Sequence, residues 1–299
     1  MSAETSSEPS RSWFPLGLRY MALSAFFFSL MSLFVKLAGR EMASQQIVLA
    51  RAAIALVLSW VALERAKIPI WGNNRKLLFL RGLLGFVGLS CFFYAVTHLP
   101  LADSTVFHYT NPLFVALLAS IFLSEKIGGR ELVGVLISLL GVALITQPSF
   151  LFGGESRLDL FPVSIALLGA FAAACAYTTV RALGATDHPL VVVFYFPLVA
   201  TPLAIPTAWP VLSWPTWSGW LLLLGVGVTT QIAQVLMTKG LHMETAGRAT
   251  SITYLQIVFA FIIGVLVFSE TPTLWSLLGS GLIIGSSIFI AVGRRARAS

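Results

Sequence analysis

Long apolar runs recur from near residue 16 to residue 292, separated by short clusters of charge, proline and glycine. Each run is continuously apolar instead of alternating with period two, which argues for helices and against the strands of a membrane barrel. A helix needs roughly 20 apolar residues to cross a hydrocarbon core of about 30 Å. The runs predict ten such spans, near 16–37, 44–63, 77–97, 102–123, 131–147, 160–181, 189–208, 218–240, 247–268 and 274–292. The expected fold is an all-α polytopic membrane protein with ten transmembrane helices. Loops this short leave no room for a folded soluble domain.

Composition agrees with the pattern. Hydrophobic residues make up 57% of the 299 positions and charged residues 10%, against about 25% charged in an average soluble protein. The basic balance, 19 Lys and Arg over 12 Asp and Glu, is here a topology signal and not a nucleic-acid footprint. With the amino terminus inside, fifteen of the basic residues, Arg65, Lys76, Arg81 and Arg181 among them, fall on or near the cytoplasmic side. Lys36, Arg40 and Arg157 fall opposite, and Arg51 lies within the second span. Both termini are therefore expected in the cytoplasm, with the bilayer as the main partner and nucleic acid excluded. Trp71, Trp209, Trp214, Trp217 and Trp220 sit at span ends, where indole favours the headgroup region. Cys91 and Cys175 lie inside apolar runs and imply no disulfide framework. No phosphate-binding loop, Gly-x-Ser-x-Gly elbow or metal-ligand spacing of the four histidines is present. An enzyme is not expected, nor a cofactor or a bound metal.

At an offset of 145 residues Thr105 aligns with Thr250, Tyr109 with Tyr254, Phe114 with Phe259, Gly134 with Gly279, and Ser124-Glu125 with Ser269-Glu270. Lys36, ending span one, meets Arg181, ending span six. Five spans per half is an odd number, so the second half enters the membrane in the opposite sense. Such inverted repeats are typical of secondary transporters with alternating access. The expected divisions are a disordered cytoplasmic tail over 1–13, five-helix repeats over 14–148 and 149–293, and a basic tail over 294–299. Lys36 with Glu270 on the outer side and Arg181 with Glu125 on the inner side are candidate gate pairs, helix-end snorkelling being the plainer alternative.

The stretches Asn111 to Ile127 (NPLFVALLASIFLSEKI) and Gly134 to Ile145 (GVLISLLGVALI) resemble the first EamA repeat of the drug/metabolite transporter superfamily. The second copy runs over Tyr254 to Glu270 and Leu277 to Gly285, with Gln256-Ile257 where the family pattern has x-Pro, so the two halves need not bend alike. Lys36 resembles the family's basic residue at the end of span one. Within the superfamily the chain is most similar to YddG-type amino-acid exporters. That likeness implies a bacterial inner-membrane carrier exporting aromatic and other neutral amino acids.

Polar side chains near span middles usually face the bundle interior. His108, Asn111, Gln231, Gln234 and Gln256 are candidates to hold an amino acid's charged groups. Phe26, Tyr94, Phe107, Tyr177 and Tyr254 are candidates to surround it, and helix-to-helix hydrogen bonding is the alternative for each polar one. Pro112 is expected to kink span four as a hinge. Arg51 fits a structural clamp or a substrate carboxylate. No Asp or Glu lies mid-span, which favours facilitated diffusion or weak coupling and a neutral or zwitterionic cargo. An exporter of drugs or small cations, and a channel or lipid-handling protein, stay open as alternatives. Small-residue spacings such as Gly134 with Ser138 and Gly281 with Gly285 are served by packing within one chain, which favours a monomer over an obligate dimer.

Overall fold

The computed structural model describes residues 15–99, 101–152, 159–269, 271 and 273–292. The expected terminal tails and Glu270 lie outside the described residues. Helices run in the order α1 (Leu16–Ala38), α2 (Ser44–Arg65), α3 (Arg75–His98), α4 (Leu101–His108), α5 (Asn111–Phe122), α6 (Gly129–Thr146) and the short α7 (Ser149–Phe152). They continue with α8 (Leu160–Leu183), α9 (Pro189–Ala208), α10 (Trp217–Met243), α11 (Ala246–Ser251), α12 (Leu255–Phe268) and α13 (Leu274–Val292). Counting α4 with α5 and α11 with α12, ten spans are long and apolar enough to cross a membrane. Local chemistry sets their starts. Asn74, Asp159 and Thr216 each accept a hydrogen bond from a first-turn amide, those of Leu77, Phe161 and Gly219. Trp71, Trp209, Trp214 and Trp217 at the ends stay exposed.

The helices pair as two inverted halves require. The 145-residue offset exchanges the first span with the sixth and the third with the eighth. The extensive α1–α10 and α3–α8 contacts are thus one packing used twice. The α3–α9 and α2–α10 contacts form a second such couple, while α2–α9 and α6–α13 join symmetry mates across the axis. Tyr109 and Tyr254, equivalent in sequence, meet there, with ring centroids 5.7 Å apart and the Tyr254 hydroxyl donating to the Tyr109 carbonyl at 2.9 Å. Along α6 and α13 the small residues are needed for contact. A Cβ on Gly279 would lie 2.5 Å from the Gly141 carbonyl oxygen, and the Ser138 and Ser286 hydroxyls are 2.6 Å apart. Gly281 and Gly285, by contrast, have nothing within 4 Å.

Pro112 corrects one expectation. Instead of kinking a continuous helix it occupies the first turn of α5, where its missing N–H forfeits no intrahelical bond. The span is interrupted just before it, at Tyr109 and Thr110. The second half breaks at the equivalent place, through a 3-10 turn over Ile252–Tyr254, without a proline. Both breaks carry hydroxyls bonded back to the chain. Thr110 donates to the Phe107 carbonyl at 2.6 Å, and Thr253 and Ser251 donate to the carbonyls of Thr250 and Arg248 at 2.6 and 2.7 Å, bonds that compete with the helical ladder. Both spans also end alike, at Ser124 and Ser269, with φ of 53° and 54°.

Candidate functional site

Spans two, three, seven and eight enclose a recess near their middles, lined by Val48, Arg51, Ala52 and Ala55 of α2 and Leu89 of α3. Val193, Phe196, Pro197 and Ala200 of α9 and Thr230, Gln231 and Gln234 of α10 complete it. The offset of 145 turns this lining into couples: Val48 with Val193, Arg51 with Phe196, Ala52 with Pro197, Ala55 with Ala200, and Leu89 with Gln234. The recess therefore sits on the axis relating the halves, where the symmetry of an inverted repeat favours a binding site. Its backbone is symmetric and its chemistry is not. Where one half supplies Arg51 the other supplies Phe196, and Gln234 stands where the first half has the apolar Leu89.

Arg51 is partly accessible from the recess and, among the described residues, has neither a hydrogen bond nor an acidic partner. Arg81 lies behind it, within electrostatic reach of both Arg51 and Tyr177. The residue is 3% exposed, and its guanidinium stands over the Phe196 ring at 4.7 Å and donates one Nη2–H to Gln234 Oε1 at 3.3 Å. Its buried Nε finds no partner. Glycine makes the space: a Cβ on Gly85, one turn on, would lie 2.6 Å from Arg81 Nη1 and 2.8 Å from the Phe196 ring. Gln231 Oε1 accepts from Ser59 Oγ at 3.1 Å, and the Thr230 hydroxyl is buried without a partner. Pro197 lacks the N–H that would bond the Val193 carbonyl four residues back, so an acceptor is freed on the recess wall.

Of the ten residues expected at a binding site, Gln231 and Gln234 line this recess, and Tyr177 stands within reach of its arginines. The others lie elsewhere. Phe26 meets Phe27 and Phe259 edge-on at 5.6 Å in the α1–α12 contact and is 38% exposed. Tyr94 stacks on His98, Phe107 packs beside Ala95 and Ala166, and His108 lies 4.6 Å from the Phe92 ring. Asn111 donates to the His108 carbonyl at 2.8 Å, Tyr254 is fully buried at the repeat axis, and Gln256 is not part of the recess wall. Aromatic and polar type selected these positions, but Asn111 bonds within its own span and His108 packs against the Phe92 ring of α3, away from the recess.

Arg81 is the residue near the recess that reasoning from sequence missed. Its place six residues into α3 grouped it with the basic residues on or near the cytoplasmic side and not with the candidates for a site. The structure instead puts two guanidiniums beside one recess. The legible signal was the run of glycines beside Arg81, Gly82, Gly85 and Gly88, of which Gly85 lies one turn beyond it. The three prolines inside α9, Pro197, Pro202 and Pro206, were a second sign of irregular backbone.

At the ends of spans four and six expected on the inner side, Arg181 donates from Nε to Glu125 Oε1 at 2.8 Å and from Nη1 to the His242 carbonyl at 2.9 Å. The other Glu125 oxygen accepts from the Ala246 amide at 2.8 Å, so one ion pair ties α8, α10 and the start of α11 together. A second, buried pair joins Arg248 to Glu244 at 3.1 Å, and Arg248 also donates to the Ala291 carbonyl. At the end of span one the Lys36 ammonium lies 3.9 Å from the centroid of the Phe268 ring. Its expected partner Glu270 is not among the described residues.

A model described as the EamA-like transporter family matches residues 15–147 and 160–292. The chain is 34% identical to the pseudopaline exporter CntI of Pseudomonas aeruginosa over 92% of its own length and 95% of that protein's. It is 29% identical to human solute carrier family 35 member G1, over 93% of this chain and 79% of that one. A solved crystal structure superposes with a TM-score of 0.82 at 16% identity, over 95% of this chain and 99% of the other, and shares its fold. The bacterial relative named for a cargo is named for pseudopaline. The finer likeness to YddG-type amino-acid exporters accordingly gives way to the family as a whole.

Proposed function

Because the chain belongs to the EamA-like transporter family, we propose that it is a secondary carrier exporting small carboxylate-bearing metabolites, amino acids and compounds built from them. Transport runs by alternating access of the two inverted halves around the recess. The observation that carries this reading is Arg51: a guanidinium facing a mid-span cavity with no acidic partner among the described residues. Its planar fork of donors matches a carboxylate. Gln231, Gln234 and Thr230 add polar groups, and the freed Val193 carbonyl can accept from an ammonium. A cationic cargo is disfavoured, since the same guanidiniums repel it. The Arg181–Glu125 network holds the inner end closed in one state and parts in the other. The excess of basic residues on one side supports cytoplasmic termini, and the bacterial relative supports placement in an inner membrane.

Proteoliposomes preloaded with unlabelled amino acids and given labelled ones test this reading. Saturable uptake, accelerated by the internal substrate, is expected. Exchange of an organic cation with no exchange of any carboxylate would overturn it, and flux that does not saturate would indicate a channel.

A further inference from the structure

The recess is flanked by two positive charges, Arg51 and Arg81, and no acidic side chain pairs with either among the described residues. Intramembrane charge without a counter-charge is strongly unfavourable and marks a functional position. The two guanidiniums are differently placed. Arg51 opens on the recess, whereas Arg81 is held behind Gln234 by a single long bond of 3.3 Å and keeps an unpartnered, fully enclosed Nε. A zwitterion of zero net charge leaves this excess in place. A metabolite carrying two carboxylates offers each guanidinium an anionic partner, and its net negative charge lowers the excess.

We infer that the recess is a dicarboxylate site, one carboxylate pairing with Arg51 and the second with Arg81 after the Gln234 amide turns aside. The inference rests on the carrier reading above and narrows its cargo. Gln234 is then both a plug over Arg81 in the empty site and a donor to the second carboxylate in the filled one. Phe196, at the position equivalent to Arg51, holds the Arg81 plane by its ring face. Arg81 is thus a specificity-determining residue, and the discrimination it gives is between a carboxylate and an amide of equal size.

Uptake of labelled glutamate and of labelled glutamine is measured side by side in proteoliposomes, with aspartate and asparagine as a second pair. For the unaltered protein the acid is expected to exceed its amide in kcat/KM by about tenfold or more, as charge-assisted bidentate bonds replace neutral ones. In Arg81→Gln the ratio should fall to within about threefold, while Arg81→Lys, which keeps the charge, retains most of it. Retained detergent-solution melting and elution profiles show that the variants are folded. An unaltered protein that carries amide and acid equally overturns the dicarboxylate site and leaves the carrier reading standing. Failure to carry any of the four overturns the dicarboxylate site, and exchange of an organic cation in their place overturns the carrier reading as well. O-phosphoserine tests the other oxyanion that guanidinium recognises: if it competes while glutamate and aspartate do not, the cargo is a phosphate ester and the dicarboxylate assignment falls.

Discussion

The two walls of the recess occupy equivalent places in the two repeats, yet one carries the charge and the other the ring. Arg51 on α2 corresponds to Phe196 on α9, and Leu89 on α3 to Gln234 on α10. Backbone symmetry lets two halves exchange conformations; a cargo with distinct ends needs a site that is not symmetric. The repeat therefore preserves helix packing and breaks, and diverges along the recess wall. The same contrast holds at the starts of spans four and nine. Asp103 accepts from the Ser149 amide at 2.7 Å, while Arg248, its counterpart, donates to the Ala291 carbonyl at 2.7 Å. Opposite charges there do one architectural job, tying the start of a span to the end of the next.

The largest expected effect breaks the charged wall. Arg51→Gln should lower kcat/KM for the best carboxylate substrate about 30-fold, a loss of about 2 kcal/mol for a charge-assisted bond, whereas Phe196→Leu should cost less in transport. Uptake rates in proteoliposomes check this; equal losses in the two variants would mean that the asymmetry carries no recognition.

Next comes the inner network. Exchanging the charges, Arg181→Glu with Glu125→Arg, should recover little of the roughly tenfold loss in transport expected of either single change. The exchanged carboxylate cannot donate to the His242 carbonyl, and the exchanged guanidinium cannot accept from the Ala246 amide. Full recovery by the double exchange would reduce the network to a simple ion pair.

Two smaller effects test packing at the axis through thermal denaturation in detergent. Gly279→Ala should destabilise by about 1–3 kcal/mol through overpacking, because its Cβ would lie 2.5 Å from the Gly141 carbonyl oxygen. Gly281→Ala, which meets nothing within 4 Å, should change little. Tyr254→Phe should cost about 0.6 kcal/mol, a typical interhelical bond in a membrane protein. Tyr109→Phe should cost less, since only the Tyr254 hydroxyl reaches across to the other half.

Much of the fold was legible because each span had to satisfy the same solvent. Ten runs of apolar residues and the recurrence of Ser124-Glu125 as Ser269-Glu270 were visible as sequence, and the left-handed serines show that the recurrence is also conformational. The site was legible only in fragments. Gln231 and Gln234 stood out as polar residues in an apolar helix. His108, Asn111 and Gln256 stood out for the same reason, and nothing in type or spacing separated residues facing a cavity from those facing a neighbouring helix.

Sequence by itself determined the number of spans, the repeat, the excess of basic charge on one side and the membership of helix ends. These follow from the local demand that every residue in a hydrocarbon layer be apolar or hidden. Only the tertiary structure decided which hidden residues share a cavity. Arg51 and Arg81 are 30 positions apart and on different helices, and they come near one recess because α2 and α3 both pack on α9. Burial there encloses a residue that reads as an interface charge, a guanidinium with no acidic partner among the described residues.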